Sequence, residues 1–238
     1  MTEITVHASR GAMNGYLATP TTPGPWPGVV VLHDALGYTQ DVKDQADWLA
    51  GAGFLAISPN LYYWGKRFQC MRGIFRDLSA RKGPAFDDVE AARTYLTAQP
   101  NCTGKIGVIG YCMGGGFSLL LAPERGFAAS SVNYGQIPKD AAAFLNGSCP
   151  IVGSFGAKDR SLKDAAAKLD KALATNNVAR DVKEYPKAGH SFLNSHASED
   201  RNLLFVVLGS LIGNARDDAA AQDARTRIVD FFNAHLRN

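Results

Sequence analysis

The pentapeptide Gly110-Tyr111-Cys112-Met113-Gly114 sets a cysteine between two glycines in a G-x-C-x-G spacing. Glycines at those positions permit a nucleophile elbow, a tight strand-to-helix turn whose central residue is held in strained backbone. A helix opening at Met113 would point its unpaired N–H groups and positive dipole end at the sulfur, which favours the thiolate. Cys112 is therefore a candidate nucleophile rather than a buried cysteine packing as a small hydrophobe. Gly156-Ala-Lys-Asp159-Arg160 places a carboxylate just after an apolar run, and Ala188-Gly-His190-Ser-Phe192 places an imidazole after the next. In the chain order nucleophile, acid, base, the Asp holds the histidine tautomer and the His accepts the nucleophile's proton. An oxyanion hole needs only backbone: the N–H of Met113, just after the nucleophile, and an N–H near Ala35. Cys70, Cys102 and Cys149, and likewise His7, His196 and His235, stand in no such context and read as structural.

Short elements must bring these distant residues together. Gly28-Val-Val-Val-Leu-His33 is a continuous β-branched run, the mark of a strand covered on both faces. Similar runs are Phe54–Ser58, Lys105–Ile109, Ala128–Asn133, Ile151–Phe155 and Asp181–Tyr185. Helix-like stretches lie between or after them, at Val42–Ala50, Asp87–Ala98, Gly114–Ala122, Lys163–Leu173 and Asp217–Leu236. The alternation predicts one doubly wound α/β domain over residues 1–238, its sheet mostly parallel with helices on both faces. In such sheets ligands bind beyond the carboxyl ends of the strands, where Asp34, Cys112, Asp159 and His190 all fall. His33 and Asp34 are consecutive, so one of the two should point away from the site. Pro20–Pro27 reads as the turn of an N-terminal antiparallel hairpin. The apolar run Leu203–Ile212, within Ser191–Asp218, predicts a covered helix that roofs the pocket, packs on a second subunit or belongs to the core.

Together these motifs carry a resemblance over nearly the whole chain. Leu32-His33-Asp34 with Gly37, Ser58-Pro-Asn-Leu-Tyr62, Asp87-Asp-Val-Glu-Ala-Ala92, Gly110-Tyr-Cys-Met-Gly-Gly115, Gly156-Ala-Lys-Asp159 and Gly189-His190-Ser-Phe192 resemble the dienelactone hydrolase family of α/β-hydrolases. The resemblance implies an α/β-hydrolase fold, a cysteine nucleophile, no cofactor, and the opening of small lactones or esters by Cys112, Asp159 and His190. Family members commonly carry Glu where this chain has Asp34, a Glu held to help activate the cysteine. A carboxylate one methylene shorter reaches about 1 Å less far, enough to alter a rate substantially. A substrate carboxylate would want an arginine, and the basic stretch Lys66–Lys82 offers Arg72 and Arg76 among others, with Tyr62 close by. Alternatives on the same fold are a carboxylesterase, a thioesterase or a noncatalytic small-molecule binder.

Composition excludes several other classes. With 46% hydrophobic and 20% charged residues in 238, the chain can bury a sizeable core and is neither disordered nor fibrous. A net charge of +3 is too even, and too scattered, for a nucleic-acid groove or an anionic membrane surface. The four cysteines form no C-x-x-C pair, so neither a metal site nor a disulfide scaffold is expected. Met1–His7 carries an acid where a signal peptide would carry positive charge, and the longest apolar run is half of the ~20 residues that span a bilayer. The expected setting is cytoplasmic, as a monomer or homodimer acting on a small molecule.

Overall fold

The computed structural model describes residues 2–123, 125–196, 213 and 215–237. At its centre lies β3 (Trp26–Leu32), buried at every position. Its alternate residues serve opposite faces: Val29 and Val31 join one core, Val30 and Leu32 another. Each such fully buried side chain contributes about 1.5–3 kcal/mol, so the strand is pinned from both sides and its register cannot slip without exposing the whole set.

Around β3 the sheet runs in the order β1-β2-β4-β3-β5-β6-β7-β8. β4 (Leu55–Pro59) and β5 (Cys102–Tyr111) flank β3 in parallel, followed by β6 (Ala129–Asn133), β7 (Ile151–Gly156) and β8 (Arg180–Tyr185), also parallel. β1 (Thr2–Ala8) and β2 (Gly11–Ala18) form an antiparallel hairpin on the β4 edge. Each predicted run is thus a strand, but the hairpin turn lies elsewhere than expected. It closes between Ala8 and Gly11, where Gly11 takes a φ of +119°. Pro20–Pro27 instead leads from β2 to β3 past the intervening β4. Proline lacks the ladder N–H, so the segment suits a crossing, and Pro27 itself sits at a register irregularity between Trp26 and Gly28.

Two helices, α1 (Gln40–Gly51) and α7 (Asp218–Leu236), cover the Val29/Val31 face. On the other face lie α2 (Arg67–Ala80), α3 (Pro84–Thr97), α4 (Met113–Leu120), α5 (Ala141–Phe144) and α6 (Ala165–Thr175). α3 starts on Pro84 after Gly83, and Asp217 caps α7 by accepting from Ala220 N at 3.1 Å. Parallel strands align their carboxyl ends, so the loops bearing Asp34, Cys112, Asp159 and His190 gather at one edge of the sheet. The run Leu203–Ile212 lies outside the described residues.

Candidate active site

The β5–α4 junction has the geometry that the G-x-C-x-G spacing demands. Cys112 sits at φ +54°, ψ −109°, a conformation that side chains rarely adopt. A Cβ on Gly110 would stand 1.9 Å from Gly114 O, and one on Gly114 would stand 2.4 Å from Leu32 O, so neither position admits a side chain. β6 braces the turn: Cys112 N donates to Asn133 O at 3.1 Å, and Asn133 Nδ2 donates to Gly110 O at 3.1 Å.

Asp159 and His190 come together from the ends of β7 and β8. Asp159 Oδ2 lies 2.5 Å from His190 Nδ1, while its Oδ1 accepts from Ser161 N at 2.9 Å and Ser161 Oγ at 2.6 Å. Both side chains are buried. Burial pushes the Asp159 carboxyl up, but the hydrogen bonds from His190 and Ser161 outweigh it and hold the group below its usual range. Burial likewise pushes His190 down. Its hydrogen bond to Asp159, with the negative charge of that carboxylate and of the Cys112 sulfur, reverses this and raises it to about 10. The structure thus joins Asp159 to His190 and sets the Cys112 sulfur among the charges that act on His190. The Tyr134 ring packs 5.2 Å from the His190 ring, and Tyr134 is itself at φ +40°.

Asp34 and Ala35 lie in a tight turn after β3. Asp34 O accepts from Gly37 N at 3.1 Å and Asp34 Oδ1 from Leu36 N at 2.8 Å, so the carboxylate shapes the turn that contains Ala35. Tyr62 links the two residues expected to form the oxyanion hole: its hydroxyl donates to Ala35 O at 3.1 Å and lies 3.8 Å from Met113 Sδ. His33 and Asp34 diverge as strand alternation requires. His33 Nε2 accepts from Leu61 N at 3.2 Å and its Nδ1 lies 2.7 Å from Asp34 O. That bonding, with burial lowering its proton affinity, makes His33 a neutral, structural imidazole.

Of the two arginines expected to meet substrate, neither is seated against these groups. The helical period of α2 turns Cys70, Gly73, Ile74 and Asp77 inward and leaves Arg72 and Arg76 exposed. Arg76 Nη2 pairs with Asp77 at 3.0 Å. Arg67, at the start of α2, is instead the member of that basic stretch whose charge bears on Tyr62 and His33.

His196, which read as structural, is placed in the site: its Nε2 lies 2.6 Å from Asp34 Oδ2, and both side chains are less than a tenth exposed. The available signal was its position six residues after His190 on the same loop. That loop is stitched to α1. Asp41 accepts from Asn194 Nδ2 at 2.5 Å and Ser195 N at 2.5 Å, Gln45 Nε2 donates to Leu193 O at 2.9 Å, and Asn194 also takes the Tyr134 hydroxyl. Among the described residues, no cluster of three or more His, Cys, Asp or Glu side chains could hold a metal ion, and no helix is long and apolar enough to cross a membrane.

A mostly parallel eight-stranded sheet with the elbow after β5 and histidine after β8 is the α/β-hydrolase fold. A dienelactone hydrolase-like promiscuous phosphotriesterase from metagenomic libraries shares that fold with a TM-score of 0.78 at 24% identity, covering 99% of this chain and 98% of its own. Residues 13–236 match the model of the dienelactone hydrolase family, and the chain belongs to that family. Among curated relatives, carboxymethylenebutenolidase 1 of Cupriavidus pinatubonensis is 28% identical over 222 residues, 87% of this chain and 90% of that protein. Carboxymethylenebutenolidase of Pseudomonas putida is 26% identical over 224 residues, 90% of this chain and 92% of that one.

Proposed function

We propose that the whole chain is one catalytic domain that hydrolyses small lactones or esters through an acyl-enzyme on Cys112. The observation that carries this reading is the position of His190, bonded to Asp159 and acted on by the negative charge of the Cys112 sulfur. His190, raised to about 10, is the base that holds the proton Cys112 gives up as the nucleophile forms.

The Cys112 thiolate attacks the carbonyl carbon, a C–S bond forms, and the carbonyl π pair moves onto oxygen. The N–H groups of Met113 and Ala35 receive that oxyanion, in a turn whose shape Asp34 and Tyr62 hold. Collapse of the tetrahedral species breaks the bond to the ring or alkoxide oxygen, which takes the proton of His190. Part of what keeps that proton on His190 is the negative sulfur beside it, and acylation removes this charge, so proton release and bond breaking favour one another. Neutral His190 then takes a proton from water as the oxygen attacks the thioester. Asp159 keeps the ring in the required tautomer through both steps. Collapse releases the acid and restores the thiolate and imidazolium.

The decisive experiment treats the protein with a panel of small lactones and p-nitrophenyl esters and measures burst kinetics together with intact mass. A burst with an acyl adduct on Cys112, absent in Cys112→Ala, supports the reading. Steady turnover in Cys112→Ala overturns it. Binding without turnover across the panel would point to a noncatalytic binder.

A further inference from the structure

The turn that presents Ala35 N–H to the proposed oxyanion contains a buried carboxylate, Asp34, immediately before it. The Tyr62 hydroxyl donates to Ala35 O at 3.1 Å and lies 3.8 Å from Met113 Sδ, and Gly114 packs against the backbone of Leu32 and His33, so the turn that carries Asp34 lies against the elbow that carries Cys112. An uncompensated anion there opposes both the thiolate and the oxyanion, because charge interactions in a partly dry site are far stronger than in water. Asp34 could be relieved in two ways. Arg67 is close to Tyr62 but exposed at the start of α2, where solvent and salt screen its charge. His196 touches the carboxylate at 2.6 Å, and both groups are buried.

We propose that His196 is a charge-compensating positioning residue: with a proton shared between them, His196 and Asp34 form a neutral pair beside Cys112. Asp34 thereby shapes the oxyanion turn without its charge opposing the reaction. The loop carrying His196 is built for this register. Asp41 and Gln45 of α1 bind its backbone and Asn194, so the imidazole is delivered to Asp34 by the same segment that holds His190. This role differs from proton abstraction by Asp34, the role that resemblance alone suggests for a carboxylate here. It rests on the acyl-enzyme reading for its effect on rate, but not for its effect on local charge.

The test therefore reads charge directly. Alkylation of Cys112 by iodoacetate, an anion, is compared with alkylation by neutral iodoacetamide, each followed by peptide mass at that residue. His196→Gln leaves the carboxylate uncompensated and should lower the iodoacetate-to-iodoacetamide rate ratio about five-fold, as expected for one unit charge at close range in a partly solvated site. Asp34→Asn keeps an Asx turn while removing a carboxylate whose charge the pair has already cancelled, and should leave the ratio within about two-fold of the parent. The double variant should return to within about two-fold of the parent. Pre-steady-state acylation by an ester should fall about ten-fold in His196→Gln and recover in the double variant, a pattern of sign that lost packing does not produce. A ratio unchanged by His196→Gln overturns the proposal, as does a double variant no faster than His196→Gln. Should His196→Gln fail to fold, Asp34→Asn decides alone: a ratio within about two-fold of the parent supports the pair, and a larger rise shows a carboxylate that His196 does not compensate. If esters are never turned over, the alkylation ratios still judge the pair, so failure of the activity and failure of the pair are told apart.

Discussion

Asp159 holds His190 with one carboxylate oxygen at 2.5 Å and Ser161 with the other, so the acid is clamped from both sides before it meets the ring. Removing its charge while keeping its shape, as in Asp159→Asn, takes away a principal support of the raised His190. In the parent, kcat/KM should hold through neutral and mildly alkaline pH and fall as pH passes about 10, when the imidazolium that protonates the leaving group is lost. In Asp159→Asn that alkaline fall should move toward neutrality, with turnover reduced by about 10²-fold or more. A pH-rate profile whose alkaline limb stays in place would show that His190 is not the titrating group. An ordinary histidine would titrate between about pH 5 and 8; the bond from Asp159 and the negative charge of Cys112 displace that expectation upward.

The same pair shapes stability. His190 is raised on folding, so its contribution is complete below its unfolded value of about 6.5 and is lost as pH climbs through about 10. Asp159 is lowered, so its contribution is present above about pH 4 and disappears as acid titrates the folded carboxyl. Urea midpoints measured from pH 3 to 11 should therefore form a plateau from about pH 4 to 6.5 and decline from there toward pH 10. In Asp159→Asn the alkaline edge of that plateau should fade.

Cys112→Ala should leave the fold intact and abolish turnover, since the partly buried sulfur is replaced by a smaller apolar group. Cys112→Ser should retain at most weak activity, because an alkoxide is harder to form than a thiolate. Equal kcat values for Ser and Cys enzymes would argue against thiolate attack.

The elbow tolerates no added carbon. Gly114→Ala would put a Cβ 2.4 Å from Leu32 O, backbone of the central strand that cannot retreat without breaking the sheet. A loss of about 3 kcal/mol or more is expected, at the upper end for an overpacked core, and denaturant titration measures it. Gly51→Ala, where a Cβ meets nothing within 4 Å, is the matched control and should change stability little.

Asp34→Glu separates two views of that position. Sequence comparison suggests that restoring the missing methylene raises turnover on dienelactone-type substrates. The structure engages both Asp34 oxygens, one with Leu36 N at 2.8 Å and one with His196 at 2.6 Å, so the longer side chain must break one of these bonds or displace the turn. Lower kcat and lower stability, by about 1–3 kcal/mol, are the expected result, read from lactone kinetics and thermal unfolding.

Much of this arrangement is legible in local sequence because it depends on local rules. A continuous Val-Val-Val-Leu run can only be a strand covered on both faces, glycines two residues either side of a cysteine can only serve a turn that excludes Cβ atoms, and Asp159 and His190 each directly follow a strand-like run. Those features fix strand, elbow and chain order without reference to any partner. His196 could not be found that way. Its meaning comes from Asp34, which lies far away in sequence, and a histidine beside no motif carries no sign of a partner brought to it by folding. The same holds for Asp41 and Asn194, and for Arg72 and Arg76, whose outward direction follows from which face of α2 packs on α3 and α4. Local pattern decides which residues can do chemistry here; only the packing of α1 against the loop after β8 decides which of them share a charge.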